Sequence, residues 1–266
     1  MSSRTLRAVV LAAVPLVAAA SLSAQSVLLR LAPEAGLESR YRMDMTMYMD
    51  NPMVSSDEPF MISTIETTQT VVGVEGDVVE YSMRTDAVDM QTPAMPALQQ
   101  QIPDVTGQVQ VMKMDTRGRM VSVDTGDPAV DEQTQQAIGQ LGGMGLELPE
   151  QPVSPGESWQ ATLDFSPQGM PGGAGMTMQM QMTYTLTGVS SSGGSQLATI
   201  SYEGPITMSG EGSASGMSAS GRTSGSIVFD VTVGRIRTSE MEMSLDMNAM
   251  GMAIKMNQSM TMTLID

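Results

Sequence analysis

The sequence predicts a mainly β protein, an antiparallel, strongly curved half-barrel or open barrel of about a dozen strands built from two similar β-meanders with one short helix between them. Three observations predict it. Methionine is abundant, 29 residues of 266 against three Phe and one Trp, and much of it falls on every second position. The chain carries a degenerate internal repeat. Hairpin signals recur along it, whereas helical periodicity is scarce. Period two places one apolar and one wet face on each strand.

The stripes are Met43, Met45, Met47 and Met49; Met176, Met178, Met180 and Met182; Met241, Met243 and Met247; and Met250, Met252, Met256, Met260 and Met262. Thr, Gln, Asp, Glu, Ser and Asn fill most of the gaps. From Met250 to Met262 the methionines hold even positions while Gly251, Ala253, Lys255, Asn257, Ser259 and Thr261 hold odd ones. All stripes are therefore expected to face one interior, since a slip of one residue would turn a whole stripe outward.

In chain order, residues 1–24 read as an export signal. Arg4 and Arg7 precede a short apolar run, Ala8 to Ala20, and small residues lead to a cut near Ala24. No later stretch has the roughly 20 apolar residues of a membrane span. The expected location is periplasmic or secreted, without stable membrane insertion. Residues 25–266 read as one β domain.

Repeat one runs over about 33–124 and repeat two over about 153–238, with a helical connector at 127–143. Met-rich strands at 239–265 follow. Pro33 to Tyr41 (PEAGLESRY) matches Pro155 to Trp159 (PGESW), a turn, then Glu-Ser, then an aromatic opening a strand. Hairpins turn at Glu75-Gly76-Asp77 and at Ser190 to Ser195. Gly107 to Met120 matches Gly225 to Ile236, each a strand, a turn ending in Gly-Arg and a returning strand. Ser239 to Asn248 and Met252 to Leu264 form a further pair.

Asp127-Pro128 is a helix start, a cap followed by Pro in the first turn, and the segment to Leu141 is a candidate plug. Pro96 to Gln101 reads as one helical turn. Ser209 to Ser226, nearly all Ser, Gly and Ala, fits a loop or a hairpin of small residues equally well. Trp159 reads as a core or seam anchor. Asp86, Asp89, Asp124 and Asp127 read as turn residues and caps.

Composition excludes much chemistry. The chain has no His and no Cys, so the usual nucleophilic triads, thiol catalysis, disulfides and His-based metal sites are absent. No enzyme activity and no cofactor are expected. The net charge of −16, with only two Lys, offers no basic patch for nucleic acid. The Met stripes leave several readings open. They form a solid apolar core, or they line a cavity for an apolar ligand, to which unbranched Met adapts. Soft-metal binding through thioethers needs convergent ligands that the pattern does not close, and no tight Cu(I) site is expected. An oxidant sink would require exposed stripes.

The half-repeat, the segment Leu148 to Trp159 (LPEQPVSPGESW) and the segment Gly225 to Arg235 (GSIVFDVTVGR) resemble an exported bacterial family of unknown function. Its members lead through prolines into a Gly-acid-Ser/Thr-Trp strand start and carry a late Gly…Phe-Asp…Gly strand pair. In architecture the chain also resembles the LolA/LppX lipoprotein carriers, half-barrels whose small helices close an apolar cavity. The LppX-like members are anchored through a Cys that this chain lacks.

The resulting expectation is a non-enzymatic exported protein that holds or carries an apolar, lipid-like molecule in a Met-lined cavity. The alternative is a structural or interaction domain of the envelope with a solid Met-rich core. The expected cavity residues are Met43, Met45, Met47, Met176, Met178, Met180, Met182, Met243, Met247, Met252, Met256 and Met260, covered by Asp127 to Leu141. Oligomeric state is left open.

Overall fold

The structure is a computed structural model that describes residues 26–50, 57–101, 105–125, 146–165, 176–210, 217–249 and 251–265. The signal segment and the helical connector 127–143 lie outside these residues, as does Met250.

Eleven strands form one antiparallel sheet: β1 (Glu38–Asp50), β2 (Met61–Glu75), β3 (Val78–Gln91), β4 (Val109–Asp115), β5 (Met120–Asp124), β6 (Ser158–Phe165), β7 (Met176–Ser192), β8 (Ser195–Gly210), β9 (Met217–Asp230), β10 (Arg235–Ala249) and β11 (Met252–Leu264). Their spatial order is β5-β4-β3-β2-β1-β11-β10-β9-β8-β7-β6. The first meander starts at the centre of the sheet and runs out to one edge. The second begins at the opposite edge and returns to the centre, where β11 pairs with β1. Among the described residues β5 and β6 end the strand order without pairing to each other, so the sheet is an open half-barrel, as expected from the sequence. Pro96–Gln101 is a 3-10 turn, the one helical piece among the described residues.

The repeat holds down to single hydrogen bonds. Gly36 donates its N–H to the Val71 carbonyl and Gly156 donates to the Leu186 carbonyl, at 2.8 and 2.7 Å. Val71 and Leu186 each precede a bulge, in β2 and β7. The turns after β4 and β9 match as well. An aspartate closes each. Asp115 Oδ1 accepts from the amides of Arg117 and Arg119, and Asp230 Oδ1 from those of Thr232 and Val233. An arginine then grips the second oxygen, Arg119 on Asp115 and Arg237 on Asp230.

Two extended leaders complete the core. The segment at 27–33 precedes β1 and the segment at 146–153 precedes β6, and they meet at a bridge between Val27 and Val153. Leu29 and Leu148 are fully buried. Around them pack Val79 and Met114 from one wing and Ala161, Leu186, Ile200 and Phe229 from the other. Because both wings touch one cluster, the sheet curls about the leaders. Each leader crosses the glycine turn of the other repeat. A Cβ on Gly118 would strike the Leu146 carbonyl, and one on Gly234 would strike the Ala32 amide. Arg30 donates to the carbonyls of Pro149 and Glu150, and Arg117 to that of Leu148 while pairing with Glu147.

Two sequence expectations need correction. Ser239 to Asn248 is not a separate strand but the continuation of β10. A bulge at Arg237 shifts its parity, from Ile236 facing inward to Ser239, Met241 and Met243 doing so, and this made one strand read as two. Asp86 and Asp89 lie within β3 and are not turn residues. Asp86 is a bulge residue whose carboxylate accepts from Thr68 Oγ1 and pairs with Arg84. Of the two readings of the small-residue segment, the hairpin agrees with the structure, in which β8 runs to Gly210, β9 starts at Met217 and the two strands pair. Gly221 and Gly225 in β9 lie so close to the β10 carbonyls of Ser244 and Glu240 that no Cβ fits, which explains the lack of larger residues there.

Asp230 supplies a test of the turn. Burial pushes its carboxyl up, but hydrogen bonds from Arg237, Ser195 and the Val233 amide, together with the Arg237 charge, hold it below the usual carboxylate range. A depressed carboxyl stabilises the fold above its unfolded value of about 3.9 and loses that contribution as pH falls through the folded value. Urea midpoints of the wild type should therefore drop below about pH 4 more steeply than those of Asp230→Asn. At pH 7 the Asn variant should lose about 2 kcal/mol, a moderate figure because Arg237 stays 40% exposed while Asp230 is fully buried.

Candidate functional site

The strand register places the methionine stripes on one face. Directly opposed residues in antiparallel strands point the same way. One row crosses the sheet as Leu186, Ile200, Ile227, Ser239, Met262, Met43 and Ile65. Another runs Met180, Ile206, Gly221, Leu245, Met256 and Met49. Met178 connects likewise through Met208 and Ala219 to Met247.

Burial along this face is uneven. It is greatest near the leaders, where Met182 and Met262 are buried. Met43, Met45, Met47, Met178, Met180, Met243, Met247, Met256 and Met260 are half-buried. Met252 lies beside the β10–β11 turn at 51% exposure, so the expectation that it faces an interior is corrected. There β11 pairs with β10, at Ala249, and not with β1 among the described residues. Met176 lies in β7, with nothing described of its side chain. The structure thus brings the stripes of β1, β10 and β11 side by side, while that of β7 shares the face three strands away.

An apolar cavity of about 310 Å³ opens beneath the first meander. Met43 is the one expected cavity residue that lines it. Its sheet wall is Tyr41, Met43, Ile65, Val71, Tyr81, Met83, Met112, Met114 and Met262, with Gln69 and Gln110 beside Met83. The leaders roof it with Leu31, Leu146 and Leu148. Among the described residues no Asp or Glu lines it, and the one charged lining residue is Arg235.

Arg235 directly follows the Gly234 turn. Its Nη1 donates to Ser39 Oγ at 2.7 Å, and Ser39 is buried. Its Nε is buried without a hydrogen-bond partner among the described residues. Asp230 faces Arg235 across the β9–β10 ladder, but its oxygens are held by the turn amides and Arg237. Next to Ser39 on this face, Tyr41 donates its hydroxyl to the Ile236 carbonyl. Burial raises its phenol, against the opposing pull of the Arg235 charge and the Ser39 hydroxyl.

Sequence reasoning missed Met83, Met112, Met114, Tyr41, Ser39 and Arg235 as a group. Met112 and Met114 did carry a signal, a Met-x-Met pair in a predicted strand. Trp159 serves as a seam anchor. Its indole N–H donates to the Glu147 carbonyl at 2.7 Å and its ring stacks on Tyr184, fastening the second leader to β6.

Fold and cavity together define an open antiparallel half-barrel whose apolar interior is roofed by its own leader segments. Residues 144–236 match DUF6263, a family of unknown function. No curated protein matches the chain. Among solved structures, one described as lipid–protein interactions in lipovitellin is similar at 12% identity and a TM-score of 0.47, over 88% of this chain and 26% of that one. The chain therefore spans about a quarter of the lipovitellin chain's length. The hypothetical lipoprotein YmcC from Escherichia coli K12 is similar at 7% identity and a TM-score of 0.26, over 81% of this chain and 85% of that one. Among the described residues no helix is long and apolar enough to cross a membrane.

Proposed function

We propose that this protein is a non-enzymatic exported carrier that holds an apolar, lipid-like molecule in the cavity under its first meander. The observation that carries this reading is the cavity itself. At about 310 Å³ it falls at the lower end of the roughly 300–1,000 Å³ of small-molecule sites. Its wall is mostly Met, Leu, Ile, Val and Tyr, with a few polar groups among them and Arg235 tethered to Ser39. Flexible thioethers suit a ligand of variable shape. The half-buried Met face of β1, β10 and β11 adjoins the cavity at Met43 and Met262 and gives an apolar approach to it. A catalytic role has little support, because the described lining offers no carboxylate pair and the chain has no His or Cys.

Native mass spectrometry of protein isolated from its own envelope fraction tests the proposal. A co-purifying lipid-sized mass, released by organic solvent and rebound by the emptied protein, is the expected result. If emptied protein binds no single-chain or diacyl lipid at all, the carrier reading fails and a structural role in the envelope takes its place.

A further inference from the structure

We infer that the cavity selects a single acyl chain headed by a carboxylate, with Arg235 as the head-group counter-ion. This rests on the carrier reading and narrows its ligand class. Four observations carry it. Among the described residues the lining holds one cationic residue and no acidic one. The guanidinium is tethered by Ser39 at 2.7 Å, so it is fixed in place. Its buried Nε has no partner among the described residues, and the facing carboxylate, Asp230, is already held by Arg237 and its own turn. A volume of about 310 Å³ suits one chain better than two.

A buried unpaired N–H on a cation is costly, and a carboxylate oxygen relieves it with a charge-assisted hydrogen bond. With the head at Arg235 beside Ser39, the tail would run across Gln69 and Met83 toward Tyr81 and Met112. A phosphate monoester shares the negative charge, but a dianion would call for more donors than the single open one here.

Calorimetric titration of the mature full chain with dodecanoate, dodecanol, dodecyl phosphate and dodecyltrimethylammonium, each below its micelle concentration, tests this. Wild type should bind dodecanoate at least tenfold more tightly than dodecanol, and the cationic amphiphile most weakly. In Arg235→Met, dodecanoate affinity should fall at least tenfold while dodecanol stays within about twofold. Arg235→Lys should retain a reduced preference for the acid. In wild type, the carboxyl carbon of 13C-labelled bound dodecanoate should titrate below its free value, and in Arg235→Met this depression should vanish.

The wild-type comparison decides the matter even where Arg235→Met does not fold. Equal affinity for acid and alcohol overturns the inference and leaves the carrier reading standing. An acid preference that survives in Arg235→Met overturns the role of Arg235. Tighter binding of dodecyl phosphate overturns the carboxylate assignment. No binding of any of the four removes the inference together with the single-chain form of the carrier reading.

Discussion

Gly234→Val is expected to destabilise the protein by about 3–5 kcal/mol and to release the first leader from the core. Two costs combine. The residue sits at φ +73°, where a β-branched side chain is strained by about 1–2 kcal/mol. Its Cβ would also strike the Ala32 amide and approach the Arg30 carbonyl to 2.9 Å, and both are backbone atoms that no rotamer change can move aside. The leader must then lift, which uncovers Leu29 and Leu31. Burying one such side chain contributes roughly 1.5–3 kcal/mol. Gly118→Val should behave alike through the Leu146 carbonyl, which stands 2.5 Å from its ideal Cβ. Gly76→Ala is the control. Its φ is +59° but nothing lies within 4 Å, so it should cost only about 1 kcal/mol. Urea unfolding measures all three, and hydrogen exchange at 27–33 reads the leader directly. Equal losses at Gly76 and Gly234 would mean that the leader contact adds nothing beyond backbone strain.

How much of this was legible follows from what leaves a periodic trace. Alternating Met and polar residues specify strands and a wet and a dry face, and the register bears out the parity from Ile254 to Met262. The Glu-Ser and Gly-Arg turns announced the repeat, because positive φ favours glycine at Gly36, Gly118, Gly156 and Gly234 and close packing adds to this at Gly118 and Gly234. Bulges have no such trace. The extra residues Val72, Asp86, Thr187 and Arg237 each change parity locally, and each is specified by cross-strand register that only the folded partner supplies.

The leaders escaped for a different reason. Leu29-Arg30-Leu31 and Leu146-Glu147-Leu148 are too short to show a period and stand beside prolines, so they resemble loops. Their meaning comes from what they cover. The cavity was half legible. Its methionine character was on the page, but its place was not, because the longest stripes run to the exposed end of the sheet. The lining is deepest where Met mixes with Tyr, Leu and Gln contributed by several strands, an arrangement that no single stretch of sequence displays. Arg235 read as a turn residue because only the tether to Ser39 brings it to the cavity.

Met83→Trp is expected to abolish binding of a twelve-carbon chain, by a hundredfold or more, while leaving the protein folded and slightly more stable. Met83 lines the cavity from β3 between Gln69 of β2 and Gln110 of β4, which also line it. An indole at this position would occupy space that the wild type leaves for ligand, with a neighbouring Gln carbonyl within reach for its N–H. Filling a void with apolar surface should add about 1 kcal/mol, seen as a rise in Tm of about 2–4 °C for a chain of this size. The sign of the Tm change separates the two readings of the methionine face. In a solid core the same substitution is overpacking, which costs about 1–3 kcal/mol and lowers Tm. Met83→Leu, nearly equal in volume, should keep affinity for dodecanoate but bind branched or longer chains less well, because a branched side chain adapts less than an unbranched thioether. Calorimetry of unfolding and of binding on the same three proteins is sufficient. A Tm that falls in Met83→Trp, with ligand affinity unchanged, would locate the ligand elsewhere and return the space under the first meander to ordinary core.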